Sequence, residues 1–243
     1  MHLRPGFDDG LFTELSIAAV FPLLDKNNEP LPRDRRDAEG LSGRRTRNTI
    51  LNDSELVVSF EGVPRIERFT PQGVWLGSIE VPQPFHDSAR YQNRNRALEA
   101  VTETARHGLL AAPERPLRQA TSVHIPVFSI AGGGNWLYPS LARKHGALVG
   151  LETTPRDELI ILERQFISFL HPIKIRITRS TPGSSGLLKL DELAVFDNHL
   201  GWAVDNFEGI ARYRDETYFI VSDDNGSMMQ NTLIVAFEIV NTR

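Results

Sequence analysis

Four segments of the chain share one pattern, and this repetition most constrains the fold. Each segment has a short start of small and apolar residues, a polar turn, a second apolar run and an acidic close. The starts lie at intervals of 60, 50 and 59 residues, at Glu39, Glu99, Val149 and Glu208. The closing residues are Glu61, Glu114, Glu163 and Asp223. Units of this length exceed those of helical solenoids and suit propeller blades of four short strands, which span about 40–50 residues.

The sequence between the repeats is also typical of β-strands. The runs VWLGSIEV, SVHIPVFSI, IKIRITR and NTLIVAFEIV are rich in β-branched and aromatic residues and are bounded by turn residues. The 243 residues, 40% of them hydrophobic, suffice for a substantial core. We predict an all-β fold, a β-propeller that forms a single domain over residues 1–243. The alternative is a β-sandwich in which the likeness between hairpins is accidental.

The chain before the first repeat offers only the tail of a blade. It reads LFTELSIAAVFPLL and then the turn DKNNEPLP. Four full motifs and this partial one predict about five or six blades in a complete version, with the N-terminal blade incomplete.

Composition excludes several classes of function. A net charge of -4 and a pI near 6.0 argue against nucleic acid as the main partner. No apolar run approaches the roughly 20 residues that membrane insertion requires. The absence of cysteine removes disulfides and thiol catalysis. No G-x-S-x-G elbow of a serine hydrolase occurs.

Hairpin geometry predicts where the acidic residues meet. In an antiparallel hairpin, the start of the first strand lies beside the end of the second. The three repeats that open with an acid therefore place it next to the closing one: Glu39 beside Glu61, Glu99 beside Glu114, and Glu208 beside Asp223 and Asp224. If these strands are the innermost of successive blades, the acids crowd one mouth of the central channel.

Carboxylates held this close repel one another, and three arrangements would relieve the repulsion. Calcium could bind among the oxygens. The arginines near the motif acids, Arg96, Arg115 and Arg164, could pair with them. Some acids could hold protons and serve in catalysis. The motif acids could also accept hydrogen bonds from loop amides of the next blade and lock the blades together.

One hairpin edge carries more oxygen-bearing side chains than a blade lock needs, which favours a functional site. These residues are Asp205, Asn206, Glu208, Asp223, Asp224 and Asn225. Their spacing does not match an EF-hand loop.

Several of these segments resemble a bacterial β-propeller group, the phytase-like family, also described as "esterase-like activity of phytase". The segments are EGL, NRALEAV with ERP, LIILER, and DNFEGIA followed by SDDN and LIVAFEI. The resemblance runs from about residue 11 to the end. Family members look like exported proteins with a leader and an early Gly-Leu-Ser-Gly-Leu motif. The chain lacks both, and a periplasmic or secreted location is what the resemblance implies.

The resemblance implies hydrolysis of an anionic small-molecule ester, a phosphate or a carboxylic ester. On that basis Asp205, Glu208, Asp223 and Asp224 would hold the calcium ion. Glu39 or Glu99 would act as the base toward water, and Arg96, Arg115 and Arg164 would bind the anionic substrate. The alternative is a non-catalytic propeller that binds a ligand or a protein on its acidic face.

Overall fold

The computed structural model describes residues 1–45, 54–93, 95–118, 120, 123–142, 145–168, 171, 173–184, 186–228 and 230–240. These residues form eighteen β-strands and no α-helix. Single-turn 3-10 helices at Arg33–Arg35, Ser88–Arg90 and Asn198–Leu200 connect strands. In the part of the chain described, no helix is long and apolar enough to cross a bilayer.

Four antiparallel sheets form the blades. The first contains β3 (Ala38–Arg45), β4 (Ser54–Phe60), β5 (Arg65–Phe69) and β6 (Trp75–Ile79). The second contains β7 (Leu98–Thr104), β8 (Gly108–Pro113), β9 (Ile125–Ser129) and β10 (Asn135–Tyr138). The third contains β11 (Gly146–Thr153), β12 (Leu159–Gln165), β13 (Lys174–Ser180) and β15 (Asp191–Asp197). The fourth contains β16 (Phe207–Arg214), β17 (Thr217–Ser222) and β18 (Ile234–Glu238). The short β14 (Gly186–Leu187) pairs in parallel with β10.

The predicted all-β propeller is confirmed, with a smaller number of blades than five or six. The described residues give four blade sheets and one separate hairpin, β1 (His2–Asp8) with β2 (Leu11–Ala19). This hairpin takes the place of the incomplete N-terminal blade. Its second strand is followed by a tight turn in which Asp25 Oδ1 accepts hydrogen bonds from Asn27 N at 2.8 Å and Glu29 N at 3.0 Å. The chain then enters the first blade without adding further strands to the hairpin.

The first strand of each blade lies at the axis. Strand β7 packs beside both β3 and β11, and β11 packs beside β16. The apolar core fills the three spaces between adjacent blades, with Ile66 and Phe128 in the first, Leu110 and Ile161 in the second, and Ile177 in the third. Complete burial of one such side chain stabilises the fold by about 1.5–3 kcal/mol.

Each repeat start is a β-bulge. The register with the second strand slips at Glu39, Glu99, Val149 and Glu208. A bulge leaves one residue unpaired and turns its side chain out of the regular alternation. The repeated pattern therefore encodes a kink at the axis in all four blades.

A small residue follows each bulge because the inner strands approach closely. A Cβ atom on Gly40 would lie 2.6 Å from Ser59 Oγ and 2.8 Å from the Val101 amide nitrogen. A Cβ atom on Gly150 would lie 2.8 Å from Ile210 Cγ2 in the fourth blade. Larger side chains at these positions would push adjacent blades apart.

The N-terminal hairpin packs on the free face of the fourth blade. Phe7 stacks on Tyr213 with ring centroids 5.3 Å apart, and Phe12 meets Phe219 edge to face at 5.2 Å. The same segment also reaches the first blade, since His2 Nε2 lies 2.6 Å from the Pro71 carbonyl oxygen. The hairpin thus connects the last blade to the first.

Candidate functional site

Three motif acids from different blades line one cavity at the propeller axis. Glu39, Glu99 and Glu208 all border this cavity, which has a volume of about 560 Å³ and is called the axial cavity below. Each carboxyl group comes from a bulged inner strand, so the same local distortion points it toward the axis. The third blade has Val149 at this position, and the carboxyl set is therefore asymmetric.

Two closing acids connect adjacent elements through hydrogen bonds. Glu61 at the end of β4 accepts one from the Ala97 amide of the second blade at 2.6 Å. Glu163 is fully buried and accepts bonds from the amides of Leu141 at 3.0 Å and Ala142 at 2.8 Å, in the loop that leaves the second blade. These two carboxylates hold blades together, as the alternative role for motif acids describes.

The three predicted substrate-binding arginines meet at one carboxylate, Glu114. Arg96 Nε lies 3.5 Å from Glu114 Oε2, and Arg115 Nε lies 3.5 Å from Oε1. A terminal nitrogen of Arg164 lies 3.3 Å from the same Oε1. Arg164 also donates to Glu208 Oε1 and to Asn206 Oδ1. Pairing with arginine therefore relieves part of the repulsion between the acids.

Arg96 and Arg115 also border a second cavity, of about 1020 Å³, called the arginine groove below. Gln92, His124 and His145 line it with them. Arg96 is the most exposed of the three arginines, with 39% of its side chain accessible, against 12% for Arg115 and 15% for Arg164.

Three carboxyl groups near the axis, those of Glu39, Glu61 and Glu99, have raised pKa values. Removal from water, and then the charge of Asp37, raises the pKa of Glu39 to about 7. Removal from water and the charge of Glu39 raise the pKa of Glu61 to about 8, against the hydrogen bond from Ala97, which lowers it. Burial, followed by the charges of Glu114 and Glu39, raises the pKa of Glu99 well above its ordinary value. Glu39 and Glu61, with pKa values of about 7 and about 8, can hold and release protons near neutral pH.

Asp37, Glu39 and Glu61 form a compact oxygen cluster in the first blade. One carboxylate oxygen from each lies within 4.8 Å of those of the other two. Among the described residues this is the one carboxylate group compact enough to hold a metal ion. Three hard oxygen donors fit the ligand chemistry of calcium, which takes carboxylate oxygens at about 2.3–2.6 Å.

The residues predicted as calcium ligands in the fourth blade are engaged mainly in loop hydrogen bonds. Asp205 accepts from the amides of Asn206 at 2.8 Å and Asn231 at 2.7 Å. Asp223 accepts from the Asn225 amide at 2.9 Å. Short acidic side chains at turns commonly accept from main-chain amides one or two residues away.

The other two predicted ligands are also partnered. Asp224 accepts from the Gly226 amide at 2.8 Å and from Thr232 Oγ1 at 3.0 Å. Glu208 pairs with Arg164. The structure therefore does not gather these four side chains into one compact group, and their role as metal ligands stays a prediction.

Three residues of the site were not among the predicted catalytic or binding residues. They are Asp37, Glu61 and Glu114. Glu61 and Glu114 close the first and second repeats, so the repeat pattern indicated that both lie near the opening acids. Asp37 opens the DAEG segment two residues before Glu39.

The fold and the site together define a β-propeller protein whose carboxyl side chains meet at the axis. The family model described as "Phytase-like: Esterase-like activity of phytase" matches residues 1–226. The chain belongs to this family, in agreement with the motifs from EGL to SDDN. No curated protein sequence matches the chain.

Proposed function

We propose that the protein is a hydrolase of phosphate or carboxylic esters that acts at the axial cavity with the aid of calcium. The observation that carries the proposal is the convergence of Glu39, Glu99 and Glu208 from three blades on one cavity. Family membership supports an ester as the substrate.

The calcium ion would be held by Asp37, Glu39 and Glu61, because their oxygens already lie within 4.8 Å of one another. A cation there would offset the repulsion among these three carboxylates. When bound, calcium supplies positive charge that polarises the ester and assists the attack of water.

Glu99 is the best-placed proton donor. Glu99 is only 8% exposed and borders the axial cavity, and burial together with the charges of Glu114 and Glu39 raises its pKa, which favours the protonated form. During hydrolysis, water attacks the carbonyl carbon or the phosphorus and the bond to the leaving oxygen breaks. Glu99 gives its proton to the leaving oxygen and recovers one from the attacking water, so atoms and charge balance.

The arginines would bind an anionic group of the substrate. Arg96 has the most accessible guanidinium of the three, and it borders the arginine groove with Arg115. Arg164 lies deeper, between Glu114 and Glu208, and would keep the carboxylate of Glu208 in place.

Turnover of three substrate types tests the proposal: a p-nitrophenyl phosphate monoester, a phosphate diester and p-nitrophenyl acetate, each with calcium and with EDTA. We expect hydrolysis of at least one ester with calcium, and a loss of about 10²–10⁴-fold in Glu99→Gln. Glu80→Gln is the matched control, because Glu80 is exposed beyond the outer strand of the first blade. A folded protein that turns over none of the three would contradict the hydrolase and favour the ligand-binding alternative.

A further inference from the structure

The axial cavity has mostly apolar walls beyond its three carboxyl groups. Its lining includes Leu3 and Leu15 from the hairpin, Leu151 from the third blade, and Ile210, Phe219 and Ile234 from the fourth. The volume of about 560 Å³ lies within the roughly 300–1,000 Å³ that is usual for sites that bind small molecules.

Strand β16 lines the cavity along most of its length. Every residue from Glu208 to Tyr213 borders it, and five steps of extended chain cover roughly 17 Å. Glu208 stands at the start of this row, and the lining becomes apolar or aromatic along it, apart from Arg212. A ligand in this space would place one end among carboxyl groups and extend its body along an apolar wall.

The charge of the lining disfavours a substrate with many phosphates. Among the described residues that border the cavity, three are acidic and one, Arg212, is basic. A phosphate group moved against the apolar wall would lose its hydration without gaining cationic partners there. An uncharged aliphatic chain gains free energy from the same transfer, since its apolar surface leaves water.

We infer that the axial cavity binds the acyl chain of a medium-length carboxylic ester, with the ester group held at Glu39, Glu99 and Glu208. This inference rests on the proposed function, and it selects aliphatic carboxylic esters over multiply phosphorylated substrates. The hairpin β1–β2 then contributes directly to specificity, because Leu3 and Leu15 form one side of the cavity.

Binding is tested without turnover by the fluorescence of N-phenyl-1-naphthylamine, an uncharged apolar probe, and its displacement by 2-decanone, which has a carbonyl group but no ester bond. We expect probe binding that decanone reverses. Leu15→Asp should weaken binding of the probe at least about tenfold, because it places a charge against the apolar wall. Ile17→Asp is the matched control, since Ile17 lies two residues along the same strand, is 65% exposed and does not border the cavity.

A second variant tests the same cavity if Leu15→Asp fails to fold. Ala211 is exposed and borders the cavity, so Ala211→Trp should fill the space without introducing a charge. Thermal unfolding of each variant checks that the fold is kept. Probe affinity that is unchanged in both Leu15→Asp and Ala211→Trp, or absent in the parent protein, would overturn the inference.

Measurements of ester hydrolysis test the acyl-chain inference separately from the proposed hydrolase function. With p-nitrophenyl esters, we expect kcat/KM for octanoate to exceed that for acetate by at least about tenfold, because the longer chain buries more apolar surface. Leu15→Asp should remove this preference for the longer chain. Equal rates for acetate and octanoate would overturn the inference and leave the hydrolase standing. Reversible probe binding without hydrolysis of any ester would support the apolar site and contradict the hydrolase.

Discussion

Arg164 of the third blade lies 3.3 Å from Glu114 of the second blade, and this ion pair crosses the boundary between two blades. The same guanidinium reaches Glu208 in the fourth blade, so one side chain connects three blades at the axis. Both partners of the pair are largely buried, with 15% and 8% of their side chains exposed. Loss of either partner of such a buried ion pair leaves an uncompensated charge, which is strongly destabilising.

Glu114→Gln should therefore be strongly destabilising. The change removes the shared carboxylate of Arg96, Arg115 and Arg164, and we expect the free energy of unfolding to fall by about 3 kcal/mol. Urea denaturation followed by circular dichroism measures the loss. Arg96→Gln is the comparison, because its side chain is 39% exposed and its loss should cost at most about 1 kcal/mol. Equal losses in the two variants would show that burial of the pair has no effect on stability.

The stability of the protein should decrease as pH rises from about 5 to about 8. Glu61 titrates near 4.5 in the unfolded chain, whereas its pKa in the folded protein is raised to about 8. Between these values the folded protein binds more protons than the unfolded chain, so the free energy of unfolding falls with increasing pH. This stabilising contribution is complete below pH 4.5 and is lost as pH rises through 8.

Glu61→Gln should reduce that pH dependence. Glutamine keeps an oxygen that can accept the hydrogen bond of the Ala97 amide, and it cannot ionise. Urea denaturation at a series of pH values, with EDTA present to remove metal ions, measures the slope in both proteins. An unchanged slope in Glu61→Gln would assign the dependence to other groups, and Glu80→Gln serves as the control for removal of an exposed carboxylate.

Local sequence patterns predicted the features of the fold that depend on neighbours along the chain. The repeat starts at Glu39, Glu99, Val149 and Glu208 are the bulged positions of the four inner strands. Regular strand alternation and turn residues produced these hairpins, and both properties are visible in single segments. The number of blades depends on how the N-terminal hairpin docks, which is a tertiary contact and has no local signature.

The polar contacts near the axis were harder to predict because they join residues on different blades. Glu61 accepts a hydrogen bond from the Ala97 amide, and Arg164 forms an ion pair with Glu114, in each case between separate sheets. The sequence around Asp224 was interpreted as part of an oxygen-rich functional site. In the structure these residues form a turn in which Asp224 accepts from the Gly226 amide, with Asn225 and Gly226 at positive φ angles of 51° and 63°.

Calcium should raise the melting temperature of the parent protein and should not raise that of Asp37→Asn. Binding to the folded state alone stabilises it by about 2.7 kcal/mol when free calcium is 100 times the dissociation constant. Asp37 supplies one of three oxygens that lie within 4.8 Å of one another, so its loss should weaken the site. Differential scanning fluorimetry over a calcium series measures the shift.

Asp224→Asn distinguishes the two sets of candidate ligands. Asn keeps an acceptor for the Gly226 amide and removes the charge, so the turn should survive. We expect a normal calcium response in this variant. A response lost in Asp224→Asn and kept in Asp37→Asn would place the ion in the fourth blade, with the ligands first predicted from the sequence.

Arg96→Gln should weaken hydrolysis of phosphate esters more than that of uncharged esters. The guanidinium of Arg96 is the most exposed of the three and borders the arginine groove, where an anionic group can approach it. A hydrogen bond to a charged group contributes about 1.5–3 kcal/mol, so kcat/KM for p-nitrophenyl phosphate should fall about tenfold or more. The same constant for p-nitrophenyl acetate should stay unchanged, because the acetate ester has no charge.

Arg106→Gln provides the control, since Arg106 is exposed in the turn at the other end of strand β7. If both esters lost activity equally in Arg96→Gln, Arg96 would contribute through its ion pair with Glu114 and would not bind the substrate.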